Sequence, residues 1–242
     1  MNMQSLAGPG KVLGIMVFAA LVAAGFTNTS SAQQKIPDPK LDAPLARAAG
    51  AQTAVFAGGC FWGIEAVFEH VKGVRDASSG YAGGSASTAN YETVSGGQTG
   101  HAESVKVSFD PSVISYGQLL KVFFSVAHDP TQLNRQSPDH GTQYRSALFY
   151  NSAEQQRIAM AYIAQMSAAH VFGNKPIVTQ VTPLKAFYRA ESYHQDFARL
   201  NPNHPYIVIN DAPKVVHLKQ ELPGLYRSSW AVQDSPPRAP KI

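Results

Sequence analysis

The chain holds one cysteine, Cys60, set in the run Gly58-Gly59-Cys60-Phe61-Trp62-Gly63. A single cysteine cannot form an intramolecular disulfide, so its sulfur is idle, joined to another molecule, or reactive. The neighbouring residues favour reactivity. Thr53 to Ala57 is a short apolar strand pattern, and Ile64, Val67, Phe68 and Val71 recur at helical spacing. Cys60 thus falls where a strand passes through two glycines into the first turn of a helix. Unpaired backbone N–H groups and the positive end of the helix dipole favour an anion there, which predicts a lowered thiol pKa and a thiolate at neutral pH. The glycines are expected to let the chain turn sharply and to leave the sulfur uncovered.

Further motifs follow in order: Gly80-Tyr81-Ala82-Gly83-Gly84, Asn90-Tyr91-Glu92-Thr93-Val94-Ser95, Thr99-Gly100-His101-Ala102-Glu103, Asp139-His140-Gly141-Thr142-Gln143-Tyr144-Arg145-Ser146 and Tyr193-His194-Gln195. With the Gly-Cys-Phe-Trp-Gly core, this series resembles the A-type peptide methionine sulfoxide reductases over roughly Thr53 to Tyr226. Several motifs in one order are far more specific than any one of them. The resemblance implies reduction of the S epimer of methionine sulfoxide, free or in oxidised proteins, with no prosthetic cofactor and no metal.

A sulfoxide oxygen is a poor leaving group, so a thiolate attacking the sulfur needs a proton delivered to that oxygen and donors that hold it. By resemblance, Cys60 is the nucleophile, Glu103 the acid, and the hydroxyls of Tyr91 and Tyr144 hydrogen-bond the same oxygen. A partly desolvated Glu103 would have a raised pKa and stay protonated near neutrality. Phe61 and Trp62 would offer an apolar wall for the S-methyl group, and Asp139 would orient the substrate backbone. Taken singly, these residues have plainer readings. Glu103 precedes the alternating run Ser104 to Phe109 and could be a solvated strand end. The two tyrosines and the Phe61-Trp62 pair could be packing residues, and Asp139 a turn former. His101 and His194 read as supporting hydrogen-bonders, since no Cys/His spacing suits zinc.

The chain departs from many such enzymes in lacking a second cysteine: Ser95 stands where some relatives carry one, and Gly224 to Ile242 has no thiol. A sulfenic acid on Cys60 would therefore be reduced by an external thiol through a mixed disulfide, with a thioredoxin-like protein or a small thiol as partner.

The elements that must position these groups read as follows. Strands are predicted at 53–57, 74–81, 104–109, 145–150 and 177–181, and helices at 60–71, 116–127, 153–170, 193–200 and 212–221. Ser115 with Gln118 and Ser152 with Gln155 make capping-box patterns at two helix starts. This order suits an α+β two-layer sandwich, and the resemblance implies a ferredoxin-like core with long coil segments.

Lys11 followed by the apolar run Val12 to Phe26, and then by Ser30 and Ala32, reads as a signal peptide over 1–32 with cleavage after Ala32, the alternative being an uncleaved anchor. The run falls short of the ~17 to 25 residues of a bilayer span. The protein is accordingly expected to be exported, periplasmic or secreted, and to act as a monomer. Pro37, Pro39 and Pro44 mark 33–52 as a flexible linker, leaving 53–242 as the catalytic domain. The net charge of +4 is scattered, without the basic cluster that nucleic-acid binding needs. Two other readings use the same cysteine: a thiol peroxidase, which also passes through a sulfenic acid, and a binding module with an inert thiol.

Overall fold

The computed structural model describes residues 35–231. The leader read over 1–32 lies outside them. In chain order the elements are β1 (Gln52–Ala57), α1 (Phe61–Glu69), β2 (Val74–Ala82), α2 (Tyr91–Val94), β3 (Ala102–Phe109), α3 (Tyr116–Val122), β4 (Arg135–Gln136), β5 (Asp139–His140), β6 (Ala147–Tyr150), α4 (Ala153–Ala168), β7 (Gln180–Pro183), β8 (Phe187–Arg189), α5 (Phe197–Leu200) and α6 (Ala212–Glu221). The fold is α+β.

The main sheet runs β7-β6-β1-β3-β2-β8, and β4 and β5 form a separate hairpin. Neighbours are antiparallel except β6 with β7. Strand alternation divides the side chains between two faces. Ala54 and Phe56 of β1 join Ile64, Val67 and Phe68 of α1 and Leu119 and Leu120 of α3 in the main core. There the Phe56 and Phe68 rings stack at 4.7 Å. Val55 and Ala57 point the other way, into a smaller cluster with Ala82, Ala102, Ala147 and Phe149 covered by Leu184 and Phe187. The β2–β3 register sets Tyr81 opposite Glu103, which places the candidate acid on a central strand.

The helix starts obey local chemistry. At α3 the Ser115 hydroxyl accepts the Gln118 N–H and the Gln118 side chain accepts the Ser115 N–H, a complete capping box. At α4 the Ser152 hydroxyl accepts the Gln155 N–H, but Gln155 Oε1 is turned to the Asn151 N–H at 3.1 Å, so the box is half formed. The helix predicted over 116–127 is α-helical only to Val122 and continues as a π-helical turn over Phe123–Ala127. The helix predicted over 193–200 shrinks to Phe197–Leu200, because Asp196 adopts the left-handed region at φ 55°. The segment read as a flexible linker carries no helix or strand over 35–51, yet it is laid along the domain. Pro37 O accepts the Tyr162 hydroxyl at 2.6 Å and Asp42 Oδ1 accepts the Gly117 N–H at 2.8 Å, while Ile36 and Leu41 pack on the core. Its prolines forbid regular structure, not docking.

Candidate active site

Cys60 is the residue preceding α1, with φ −56° and ψ 127° and no side-chain capping bond. Gly59 allows the turn: its φ is +103°, and a Cβ there would lie 2.7 Å from the Gln136 side chain. The position between β1 and α1 agrees with the sequence reading, but the thiol environment does not. Cys60 is only 9% exposed, and burial above all, then the carboxyls of Glu103 and Asp211, pushes the thiol well above its ordinary value. The Trp62 backbone N–H and the Lys214 ammonium pull the other way and are outweighed. The expectation of an uncovered sulfur with a lowered pKa is thus corrected. One helix-start amide serves the sulfur, but desolvation costs more than it returns.

The first amide of the helix serves another group. Phe61 N–H donates to Glu103 Oε2 at 3.1 Å. Glu103 is 2% exposed, and burial raises its carboxyl to about 8; the Phe61 N–H opposes this, while Asp139 and Asp211 add to it. A carboxylic acid that keeps its proton at neutrality is a proton donor.

Tyr91 opens the short helix α2, whose start is capped by Asn90 accepting the Thr93 N–H at 3.1 Å. Tyr144 ends a 3-10 turn over Thr142–Tyr144, fixed on either side by Gln143 donating to Ser95 O at 2.9 Å and Arg145 donating to His101 O at 3.0 Å. Burial raises both phenols, and each also feels Glu103 and Cys60. Asp139, on β5, accepts the hydroxyl of Tyr206, a third tyrosine that lies just before a π-helical turn over Ile207–Asp211. The phenol of Tyr206 is raised by burial first and then by Cys60 and Asp139.

The aromatic pair divides its roles. Phe61 is 1% exposed, with its ring 5.0 Å from His194 and 5.9 Å from Tyr81, as a core residue. Trp62 keeps more of its surface. It stacks on Phe197 at 3.8 Å, meets Tyr206 edge-on at 5.8 Å and donates Nε1–H to His194 Nδ1 at 3.2 Å. His101 does the supporting work expected of it, accepting the Gly84 N–H at Nδ1 and pairing Nε2 with Ser85 O.

Sequence reasoning missed Tyr206, Asp211 and Lys214. Asp211 is fully buried and accepts from Lys214 Nζ at 3.0 Å, and a Cβ on Gly63 would collide with that pair. Asp211 ahead of Ala212-Pro213 looks like a helix cap in sequence, but it makes no capping bond. Only the fold carries it more than a hundred residues back to α1. Ser95 is exposed and donates its hydroxyl to Glu92 O at 3.0 Å. Among the described residues, no three His, Cys, Asp or Glu side chains gather as a metal site.

A buried thiol, a carboxyl protonated near neutrality and three tyrosines within electrostatic reach of that thiol make a site suited to thiol-based redox chemistry. A sequence model of the family described as peptide methionine sulfoxide reductase matches residues 52–224. A Mesorhizobium japonicum protein named peptide methionine sulfoxide reductase MsrA 2 is 59% identical over 179 residues, 74% of this chain and 91% of that one. A Synechocystis protein of the same name is 52% identical over 83% of this chain and 94% of its own length. Among solved structures, the reduced form of Mxr1 from Saccharomyces cerevisiae superposes with a TM-score of 0.57 at 36% identity, covering 68% of this chain and 92% of that one. Methionine sulfoxide reductase A of Corynebacterium diphtheriae gives 0.56 at 35% identity, covering 64% of this chain and 77% of that one. The chain belongs to the peptide methionine sulfoxide reductase family, A type, and is an oxidoreductase.

Proposed function

We propose that this protein reduces the S epimer of methionine sulfoxide with Cys60 as nucleophile, Glu103 as acid, and Tyr91 and Tyr144 as donors to the oxygen. The observation that carries the reading is the contact between Phe61 N–H and Glu103 Oε2 at 3.1 Å, which fixes a protonated carboxyl beside the start of the helix that Cys60 precedes.

The free enzyme holds two protons at neutral pH, one on Cys60 and one on Glu103. The sulfoxide sulfur is electron-poor, so its approach to Cys60 favours the thiolate. The Cys60 sulfur bonds to the substrate sulfur while Glu103 protonates the oxygen, which Tyr91 and Tyr144 hold as charge develops, and the proton that the thiol gives up returns Glu103 to its acid form. Net, the oxygen passes to Cys60: thiol and sulfoxide become sulfenic acid and thioether. An external thiol then attacks the sulfenic sulfur and releases water, and a second thiol frees Cys60 from the mixed disulfide. Because the chain has one cysteine, we assign both thiols to a thioredoxin-like protein or a small thiol. Trp62 offers the accessible aromatic face for the S-methyl group, Phe61 backs it, and Asp139, tied to Tyr206, orients the substrate backbone.

The strand order β6-β1-β3-β2 with α1 and α3 as crossovers supports a ferredoxin-like, two-layer reading of the core. The apolar run Val12 to Phe26, followed by the small residues Ser30 and Ala32, supports export to the periplasm or medium. The deciding experiment is an assay of both sulfoxide epimers, and of hydrogen peroxide, with dithiothreitol as electron source. Turnover of the S epimer alone is expected. Peroxide consumption without sulfoxide reduction would move the protein to the thiol peroxidases.

A further inference from the structure

The hydroxyl of Tyr91 is useful only if α2 is held still, and α2 is four residues long, far below the length at which a helix sustains itself. Asn90 caps it by taking the Thr93 N–H, so the Tyr91 N–H must find another acceptor. It finds Glu191, whose Oε1 accepts it at 2.9 Å across a separation of a hundred residues. The other oxygen of the same carboxyl, Oε2, accepts the Tyr81 hydroxyl at 2.8 Å. Tyr81 is fully buried and stands in β2 opposite Glu103 in β3. The main-chain carbonyl of Glu191 accepts the His194 N–H at 3.0 Å. The His194 ring lies 4.5 Å from that of Tyr91 and takes the Trp62 indole N–H. One residue thus ties together the strand pair carrying the acid, the helix carrying a phenol and the turn that holds the indole.

We infer that Glu191 is a positioning residue for the sulfoxide reduction, setting the Tyr91 hydroxyl over the substrate oxygen through its two carboxyl hydrogen bonds. The inference rests on the assignment of Tyr91 made above. Burial opposes ionisation of Glu191, but the Tyr91 N–H, its own N–H and the Tyr81 hydroxyl outweigh it and hold the carboxyl below its ordinary value. The acceptor is therefore an anion throughout the working range, and hydrogen bonds to an anion are the stronger kind.

The test is a double-mutant cycle read in single turnover, as the rate of methionine formation before any reductant is added. Glu191→Leu, which keeps bulk and loses both acceptors, is expected to slow this step by about 10-fold or more with substrate affinity within about 3-fold, the pattern of a misplaced donor. Glu191→Gln, whose amide oxygen still accepts the Tyr91 N–H, is expected to recover most of that loss. In a Tyr91→Phe background, Glu191→Leu is expected to add nothing. Multiplied losses in the double variant, or Glu191→Leu at the wild-type rate beside a slow Tyr91→Phe, would overturn the inference while leaving the role of Tyr91 intact. Tyr91→Phe at the wild-type rate would sink both. Should Glu191→Leu not fold, Tyr81→Phe removes one of the two ties and enters the same cycle, where it too is expected to be silent beside Tyr91→Phe.

Discussion

The amide of Phe61 donates to the carboxyl of Glu103 across 3.1 Å, joining the first turn of α1 to the central strand β3. The residue before that amide is Cys60. That hydrogen bond holds the carboxyl beside the start of the helix that Cys60 precedes.

Cys60→Ser is expected to abolish sulfoxide reduction. The wild-type protein, given S-epimer substrate and no reductant, should form one methionine per chain and yield a dimedone adduct at Cys60. Retained turnover in the serine variant would remove the nucleophile assignment.

The rate of the reductive step is expected to fall as pH rises through about 8, where Glu103 loses its proton. Glu103→Gln should slow the step by ~10²-fold or more and erase that alkaline limb. A limb that persists in the glutamine variant would belong to another group.

Because burial raises the Cys60 thiol above its ordinary value of 9.0, iodoacetamide should modify the free enzyme slowly at neutrality and faster only at higher pH. A modification midpoint near or below neutrality would contradict the burial described for the sulfur.

Glu65 and Glu69 on α1 are each 1% exposed. Burial and then Asp196 raise Glu65 to about 8, and burial, then Glu65 and Asp196, raise Glu69 to about 9. In the unfolded chain both titrate near 4.5. The folded protein thus holds protons that the unfolded chain releases, and stability drains away as pH climbs from about 5 to about 9. Against the wild type, Glu69→Gln should gain stability across that window, by up to a few kcal/mol at its alkaline end. Urea unfolding at several pH values measures it, and a gap between the two proteins that does not widen with pH would show that Glu69 does not titrate as described.

Gly59→Ala places a Cβ 2.7 Å from Gln136 on a residue with φ +103°. A loss of about 1–3 kcal/mol in stability is expected, with a slower reductive step because Cys60 is the next residue. Unchanged unfolding and kinetics would mean that the turn tolerates a side chain.

What the sequence made legible was local. The β1–turn–α1 unit around Cys60 follows from apolar spacing and the Ser115–Gln118 box from capping chemistry, and α6 covers the expected Ala212–Glu221. The candidates Glu103, Tyr91 and Tyr144 came from the family resemblance that the motifs carry, and the fold places all three within electrostatic reach of Cys60. The depth of the sulfur was illegible, because desolvation depends on which distant segments pack over it, and the segment between α5 and α6, with Tyr206 and Asp211, announces nothing by spacing. The π-helical turn after Val122 and the short strand Phe187–Arg189 were missed for the same reason: tertiary packing sets them, not periodicity.

With 9% of Cys60 open to solvent and Ser95 in place of a partner thiol, the oxidised intermediate waits in shelter for an outside electron donor. A second oxidising equivalent would have to reach a sulfur as deeply covered as the resting thiol. The burial expected to slow alkylation of the resting enzyme would in the same way slow the further, irreversible oxidation of its sulfenic acid.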